Sequence, residues 1–241
     1  GVAVAAARGG SGGGALSAAV DRVAITVHYD LPSYDIVAVA GPNGNVSPLG
    51  TVAVTYGQGT NFVITAMAHH HVSAIITNGV PVPAAYDNSL AATNSLWENV
   101  TATGTLVAAF AENCWAYGTP ETWLSAHYPA TNDYNAAALS DTDGDGMAAW
   151  EEYIAGTAPT DPASSFAITA VDRIVGSNVV QWLSCTNDSV VPYRIERSTN
   201  LLAGTWEVVD AAVPRTPPVN TFWDPASDLD LAVFYRLVAT R

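Results

Sequence analysis

Residues 141–152 read DTDGDGMAAWEE, an order that sets hard oxygen donors at a regular spacing. Asp141, Asp143 and Asp145 hold the first, third and fifth places of this twelve-residue stretch, with Gly146 at the sixth and Glu152 at the twelfth. In a loop of that length the odd positions converge on one point, so each aspartate can offer one oxygen while the glycine permits the sharp reversal. Met147 at the seventh place would add its backbone carbonyl, and Ala149 at the ninth would leave a place for a water. Glu152 would close the set as a bidentate ligand from a following helix. About six to eight hard oxygens around one point is what calcium takes. No Arg or Lys falls between Arg22 and Arg173 to neutralise the four carboxylates, so without an ion the stretch should loosen. A plain polar turn capping the next helix would explain DTDGDG but leaves the match at all five positions unaccounted for.

Other residues with chemical potential fare less well. His69, His70 and His71 invite a transition-metal reading, because in a strand His69 and His71 project from one face. Gly9, Ser11 and Gly13 satisfy a Gly-x-Ser-x-Gly pattern without the preceding strand and following helix that a nucleophile elbow requires. A glycosidase needs two positioned carboxylates, and the densest carboxylates are already assigned to the ion. Enzymatic activity is therefore not expected. Seven tryptophans could form a sugar-stacking platform, although most lie at alternating positions where aromatic rings fill cores.

Those donors sit in a chain of 241 residues, long enough for two or three small domains. Its net charge is −14, and all eight basic side chains are arginine. So acidic a chain is a poor match for nucleic acid or anionic membrane, both of which draw on Lys and Arg. The absence of lysine excludes Schiff-base chemistry and Lys–Asn isopeptide cross-links. No apolar run approaches the length of a membrane span, and no basic leader precedes an apolar stretch, which suggests that the sequence starts after a removed signal peptide. Cys114 and Cys185 are compatible with one disulfide or with two buried thiols.

Four segments follow from patterning. Residues 1–34 comprise a glycine-rich arm (1–14) and an alternating strand (16–29) that must find a sheet, either within its own chain or as a donor strand in a neighbouring copy. Residues 35–113 form a small β unit, with alternating runs at 36–40, 51–56, 62–67, 71–77 and 104–110 punctuated by Pro42-Asn43-Gly44, Gly57-Gln58-Gly59 and Asn78-Gly79. Residues 114–164 are a helical linker. Pro120 starts one helix, Asp133 caps a second through Leu139, and Met147–Ala155 forms a third, closed by Gly156 and the breakers Pro159 and Pro162. Residues 165–241 carry six short runs (FAITAVD, NVVQWLS, VPYRIERS, TWEVVDA, NTFWD, LAVFYRLVA) that suggest an antiparallel sandwich. The fold class is mostly β: a small β-repeat domain and a β-sandwich joined by a short helical calcium-binding linker.

Three stretches resemble known families. AGPNGNVSPLGTVAVTYGQGTNFVITA, with the histidine-valine pair, the strand ending Asn-Gly-Val and the strand entering Ala-Ala-Phe, resembles the internalin-B B-repeat over about 35–113. That resemblance implies a β-grasp-like repeat without an active site, and it sets His69, His70 and His71 at a strand start, where it implies a structural role and not a metal site. DTDGDGMAAWEEYIAGTAPTDPASSF is similar to the single EF-hand-like calcium linker (141–162), related to dockerin and thrombospondin type 3 repeats, that joins domains of secreted bacterial proteins. It departs at Ala158, where that linker often has Asp. Sensors generally pair two such loops and dockerins carry two, so a single match favours a structural staple. YRIERSTNLLAGTW with FYRLVA resembles the fibronectin type III-like end domains of large bacterial secreted proteins.

The combined expectation is a non-enzymatic structural or adhesive protein, extracellular or on the bacterial cell surface, stabilised by Ca2+ on Asp141, Asp143, Asp145, Met147 and Glu152. Its partners would be further copies of itself, joined into a filament through the N-terminal strand. The alternative is a carbohydrate-binding or adhesion accessory module of a larger secreted protein.

Overall fold

The computed structural model describes residues 29–83, 86–174, 176–184, 192–225 and 232–239. The chain divides into two units, Gly1–Pro32 and Ser33–Arg241. The glycine-rich arm and the 16–29 strand lie, apart from Tyr29, outside the described residues, and so does Cys185. With them go the donor-strand and disulfide expectations.

Ser33–Arg241 is mostly β, built as several sheets around three successive cores. Strands β1 (Ser33–Ala40), β2 (Gly44–Ser47), β3 (Gly50–Thr55), β4 (Thr60–Ala66), β5 (His70–Thr77), β6 (Val80–Pro81), β7 (Ala92–Trp97) and β8 (Gly104–Glu112) make the first unit. They form a five-stranded sheet in the order β3-β1-β8-β5-β6 and a three-stranded sheet β2-β4-β7. Alternation decides which side chains turn inward: on β1, Ile36 and Ala38 are buried while Val37 and Val39 are exposed. Ile36, Val72 and Leu106 of the larger sheet meet Val46, Phe62 and Ile64 of the smaller one in a single core. Each such side chain, fully buried, contributes about 1.5–3 kcal/mol. Gly44 has no room for a Cβ, which would sit 2.2 Å from the Phe110 ring.

Two features go beyond the sequence reading. β1 and β8 pair in parallel, Ile36 opposite Gly104 through Ala40 opposite Ala108. Parallel neighbours need a long crossover, which β2–β7 supply. β2, β6 and β7 went unexpected because they are short, or polar on both faces, and present no clean alternation.

In the helical segment, α1 (Glu121–His127) starts after Pro120. α2 (Tyr134–Ala138) has Asp133 as its cap, accepting from Ala136 N at 2.9 Å. α3 (Ala149–Ala155) begins two residues later than expected, because the amide of Met147 is held by the Asp145 side chain and Glu151 caps the amide of Ala148. Gly156 ends it in the left-handed conformation (φ 79°), which glycine adopts without penalty. Trp123 of α1 packs edge-on against Tyr153 of α3, ring centroids 5.2 Å apart.

The last unit contains β9 (Ile168–Ile174), β10 (Ser177–Leu183), β11 (Tyr193–Ser198), β12 (Glu207–Val213), β13 (Val219–Asp224) and β14 (Phe234–Ala239). All six expected runs are strands. They form two antiparallel sheets, β13-β10-β9 and β12-β11-β14. Val180 and Trp182 from one sheet bury against Tyr193 and Ile195 from the other, the core of a sandwich. Of the tryptophans, Trp123 and Trp182 are buried, Trp97, Trp115, Trp150 and Trp206 half-buried, and Trp223 exposed.

Candidate metal centre

The acidic loop connects α2 to α3 and is folded by its own aspartates. Asp141 accepts from Gly144 N (2.8 Å) with one oxygen and from Gly146 N (3.1 Å) with the other. Asp143 accepts from Asp145 N (3.2 Å), and Asp145 from Met147 N (2.9 Å). Gly144 and Gly146 take φ of 79° and 99°, which a side chain would strain. Ala149 N donates to Ser140 O at 2.9 Å and closes the base of the loop. Ala149, expected to leave a place for a water, is itself fully buried in the helical core.

These bonds bring one oxygen from each of Asp141, Asp143 and Asp145 within 4.8 Å of one another. Such an acidic cluster could bind a metal ion. Glu152 stands outside that grouping, fully buried on α3. One of its oxygens accepts from Thr157 Oγ1 at 3.2 Å. Burial, followed by the charge of Asp143, pushes its carboxyl up to about 8; the Thr157 hydroxyl opposes the rise, and Asp145 and Asp141 add to it more weakly. Met147 is half-buried, and its carbonyl, the expected ligand atom, accepts no hydrogen bond from the described residues.

The fit to a cation can be tested on oxygen atoms alone. Asp143 Oδ2, Asp145 Oδ2 and Glu152 Oε2 are buried with no hydrogen-bond partner among the described residues. A buried, unpaired carboxylate oxygen costs several kcal/mol, and nearly all buried polar atoms in folded chains find a partner. Three orphaned oxygens on one short segment, in a stretch of sequence without Arg or Lys between Arg22 and Arg173, fit a hard divalent ion that prefers oxygen ligands.

The site is tied into both β units. Toward the first, buried Glu121 on α1 accepts from Asn113 Nδ2 (3.0 Å) and Trp115 Nε1 (2.9 Å) and pairs with His69 Nδ1 (3.0 Å). Burial raises its carboxyl pKa, but the bonds from His69, Trp115 and Asn113 outweigh that and hold it below the usual value. His71 Nδ1 meets Asn113 Oδ1 at 2.9 Å, and His70 Nδ1 meets the carbonyl of Ala68. His69 and His71 thus meet one network through Glu121 and Asn113, while His70 turns to the backbone. Toward the sandwich, Tyr193 Oη donates to Ala155 O (2.5 Å), and Arg215 donates to Ile154 O with its guanidinium 4.7 Å above the Tyr193 ring. Spacing along the chain could not have disclosed this pair of anchors, because Glu121 and His69 are 52 residues apart and Tyr193 and Ala155 are 38 apart.

No family model, curated protein or solved structure matches the chain.

Proposed function

We propose that this chain is a non-enzymatic structural protein of the bacterial exterior, in which a calcium-loaded loop fixes the orientation of two β units. One observation carries the reading: three buried carboxylate oxygens without partners among the described residues, on Asp143, Asp145 and Glu152, stand at the start of α3, whose last residue Ala155 is held by Tyr193 of the sandwich. Calcium would neutralise them and hold Glu152 against the loop. That would lock the first turn of α3, whose other end carries the bonds to Tyr193 and Arg215. Extracellular modules bind calcium with dissociation constants of about 10⁻⁴–10⁻³ M, which suits a single loop outside the cell and not a cytosolic sensor. The resemblances to internalin-B repeats, dockerin-like linkers and fibronectin type III-like end domains support the same setting. Assembly into filaments through the 16–29 strand belongs to this proposal on the strength of the sequence alone.

The test combines calorimetry and proteolysis. Titration of chelator-treated protein should give one calcium per chain, and chelation should open protease cuts near 140–160 that calcium closes. Unchanged protection with and without chelator would reject the staple. For self-assembly, light scattering on a chain lacking residues 1–30 should show polymers lost; a size equal to that of the intact protein would reject the donor strand.

A further inference from the structure

Between β5 and β7, the two sheets of the first unit part to leave a cavity of about 450 Å³, within the roughly 300–1,000 Å³ range of small-molecule sites. Its wall on β7 breaks the pattern that builds the rest of the core. Phe62 and Ile64 on β4 are fully buried, and their cross-strand partners are Ser95 and Thr93. Partners across a pair share a face, so Thr93, Ser95 and, two residues on, Trp97 turn the same way as the core yet stay half-buried, with the cavity in front of them. Hydroxyls at two inward positions of an otherwise apolar layer are the kind of local inconsistency that functional sites carry.

Three of the polar side chains in the lining are uncommitted. The Thr93 and Ser95 hydroxyls and the Glu98 carboxylate have no partner among the described residues. Asn78 is held in place, its Oδ1 accepting from Thr105 N at 2.8 Å, which leaves its amide N–H groups as oriented donors. The aromatic surfaces are equally fixed. Tyr86 Oη donates to Val82 O at 2.8 Å, and the Trp97 ring lies so close over Gly104 that a Cβ there would come within 2.6 Å of it.

Charge selects the ligand class. Among the lining residues Glu98 is the one acidic side chain, and no Arg, Lys or His is present to meet a phosphate, sulfate or carboxylate. A polyhydroxylated ring with apolar C–H faces and no charge matches both the indole and the hydroxyl and amide rim. We propose that this cavity binds a neutral pyranose unit of a glycan, its C–H face on Trp97 and its hydroxyls shared among Asn78, Thr93, Ser95 and Glu98.

The experiment uses the intact 241-residue chain in calcium, labelled with 15N, and titrates it with cellobiose, lactose and N,N′-diacetylchitobiose. Digalacturonate serves as an anionic control, and sugars run to about 10 mM, enough to register a Kd near 1 mM. The expected result is amide shifts confined to β5, β7 and the Asn78 turn with at least one neutral sugar and not with digalacturonate. Trp97→Ala should weaken the affinity about tenfold or more. Ser95→Leu, which fills the cavity with an apolar side chain, should abolish the shifts while the folded spectrum persists. Because the cavity lies in a different core from the acidic loop, failure here leaves the calcium reading standing, and the reverse holds too. No shift with any neutral sugar, shifts that survive Ser95→Leu, or a preference for digalacturonate would each overturn the proposal. So would shifts produced only by an extended peptide pairing with the free edge of β7, which would make the groove a strand-addition site.

Discussion

The hydroxyl of Tyr193 donates a 2.5 Å hydrogen bond to the carbonyl of Ala155, joining the core of the C-terminal sandwich to the last turn of the helix that follows the acidic loop. Tyr193 is fully buried, stacked on Phe166 and edge-on to Trp182, so its position is set by the sandwich and not by the loop. The bond is therefore a point at which the state of the loop can be felt by the domain beyond it.

Tyr193→Phe keeps the ring and removes that donor. The Ala155 carbonyl is left without its partner, and stability should fall by about 1–3 kcal/mol. Urea unfolding followed by tryptophan fluorescence would measure the loss. A change below about 0.3 kcal/mol would mean that the bond is replaced by water and carries no coupling.

Gly156→Ala should do more. The residue takes φ 79°, and an added Cβ would come within 2.2 Å of Arg215 Nη1. The strained conformation alone costs about 1–2 kcal/mol. Displacing Arg215 from the Ile154 carbonyl adds to it. The expected readout is a lower Tm together with faster proteolysis after α3; a Tm equal to that of the parent chain would contradict the geometry.

Glu152 gives the loop a pH signature. Its folded carboxyl titrates at about 8 against an ordinary 4.5, so between those values the folded chain holds a proton that the unfolded chain has released. Unfolding then gives up a proton, and in chelator stability should decline as pH rises from about 4.5 toward 8. Calcium reverses the preference, because it binds the ionised form, and its affinity should climb over the same interval. Melting curves at pH 5 and pH 8, with chelator and with calcium, check both signs. Glu152→Gln should flatten the chelator profile and reduce the calcium-induced rise in Tm.

Glu121 has the opposite sign. Its carboxyl is held below the ordinary value, so the stability it contributes is present above about 4.5 and is lost as pH falls through the folded value. Glu121→Ala leaves the Asn113 amide and Trp115 indole donors without their acceptor, at a cost of about 2–4 kcal/mol. Because this carboxylate ties the linker to the first β unit, denaturation of Glu121→Ala should separate into two transitions where the parent chain shows one. A single coincident transition would show that the two units are coupled by other contacts.

What the sequence determined is local. Twelve consecutive residues contain the acidic side chains, the glycines and the start of the following helix, and the fold brings Asp141, Asp143 and Asp145 together as their spacing requires. All six sandwich strands and five of the strands in the first unit were legible, because a period of two is written into neighbouring residues and needs no distant partner. Asp133 and Gly156 marked helix ends for the same reason, their capping groups lying within one turn.

Only the tertiary structure decided the rest. The parallel pairing of β1 with β8 depends on which strands lie side by side after a long crossover, and alternation is the same for parallel and antiparallel neighbours. Glu121 reads as one acidic residue at a helix start until the fold sets His69, Asn113 and Trp115 around it. Glu152 acquires its raised pKa from burial and from charges that converge only once the loop has closed. The β5–β7 cavity exists because Thr93 and Ser95 occupy inward positions whose direction was fixed by pairing with Ile64 and Phe62, a register that no single strand contains.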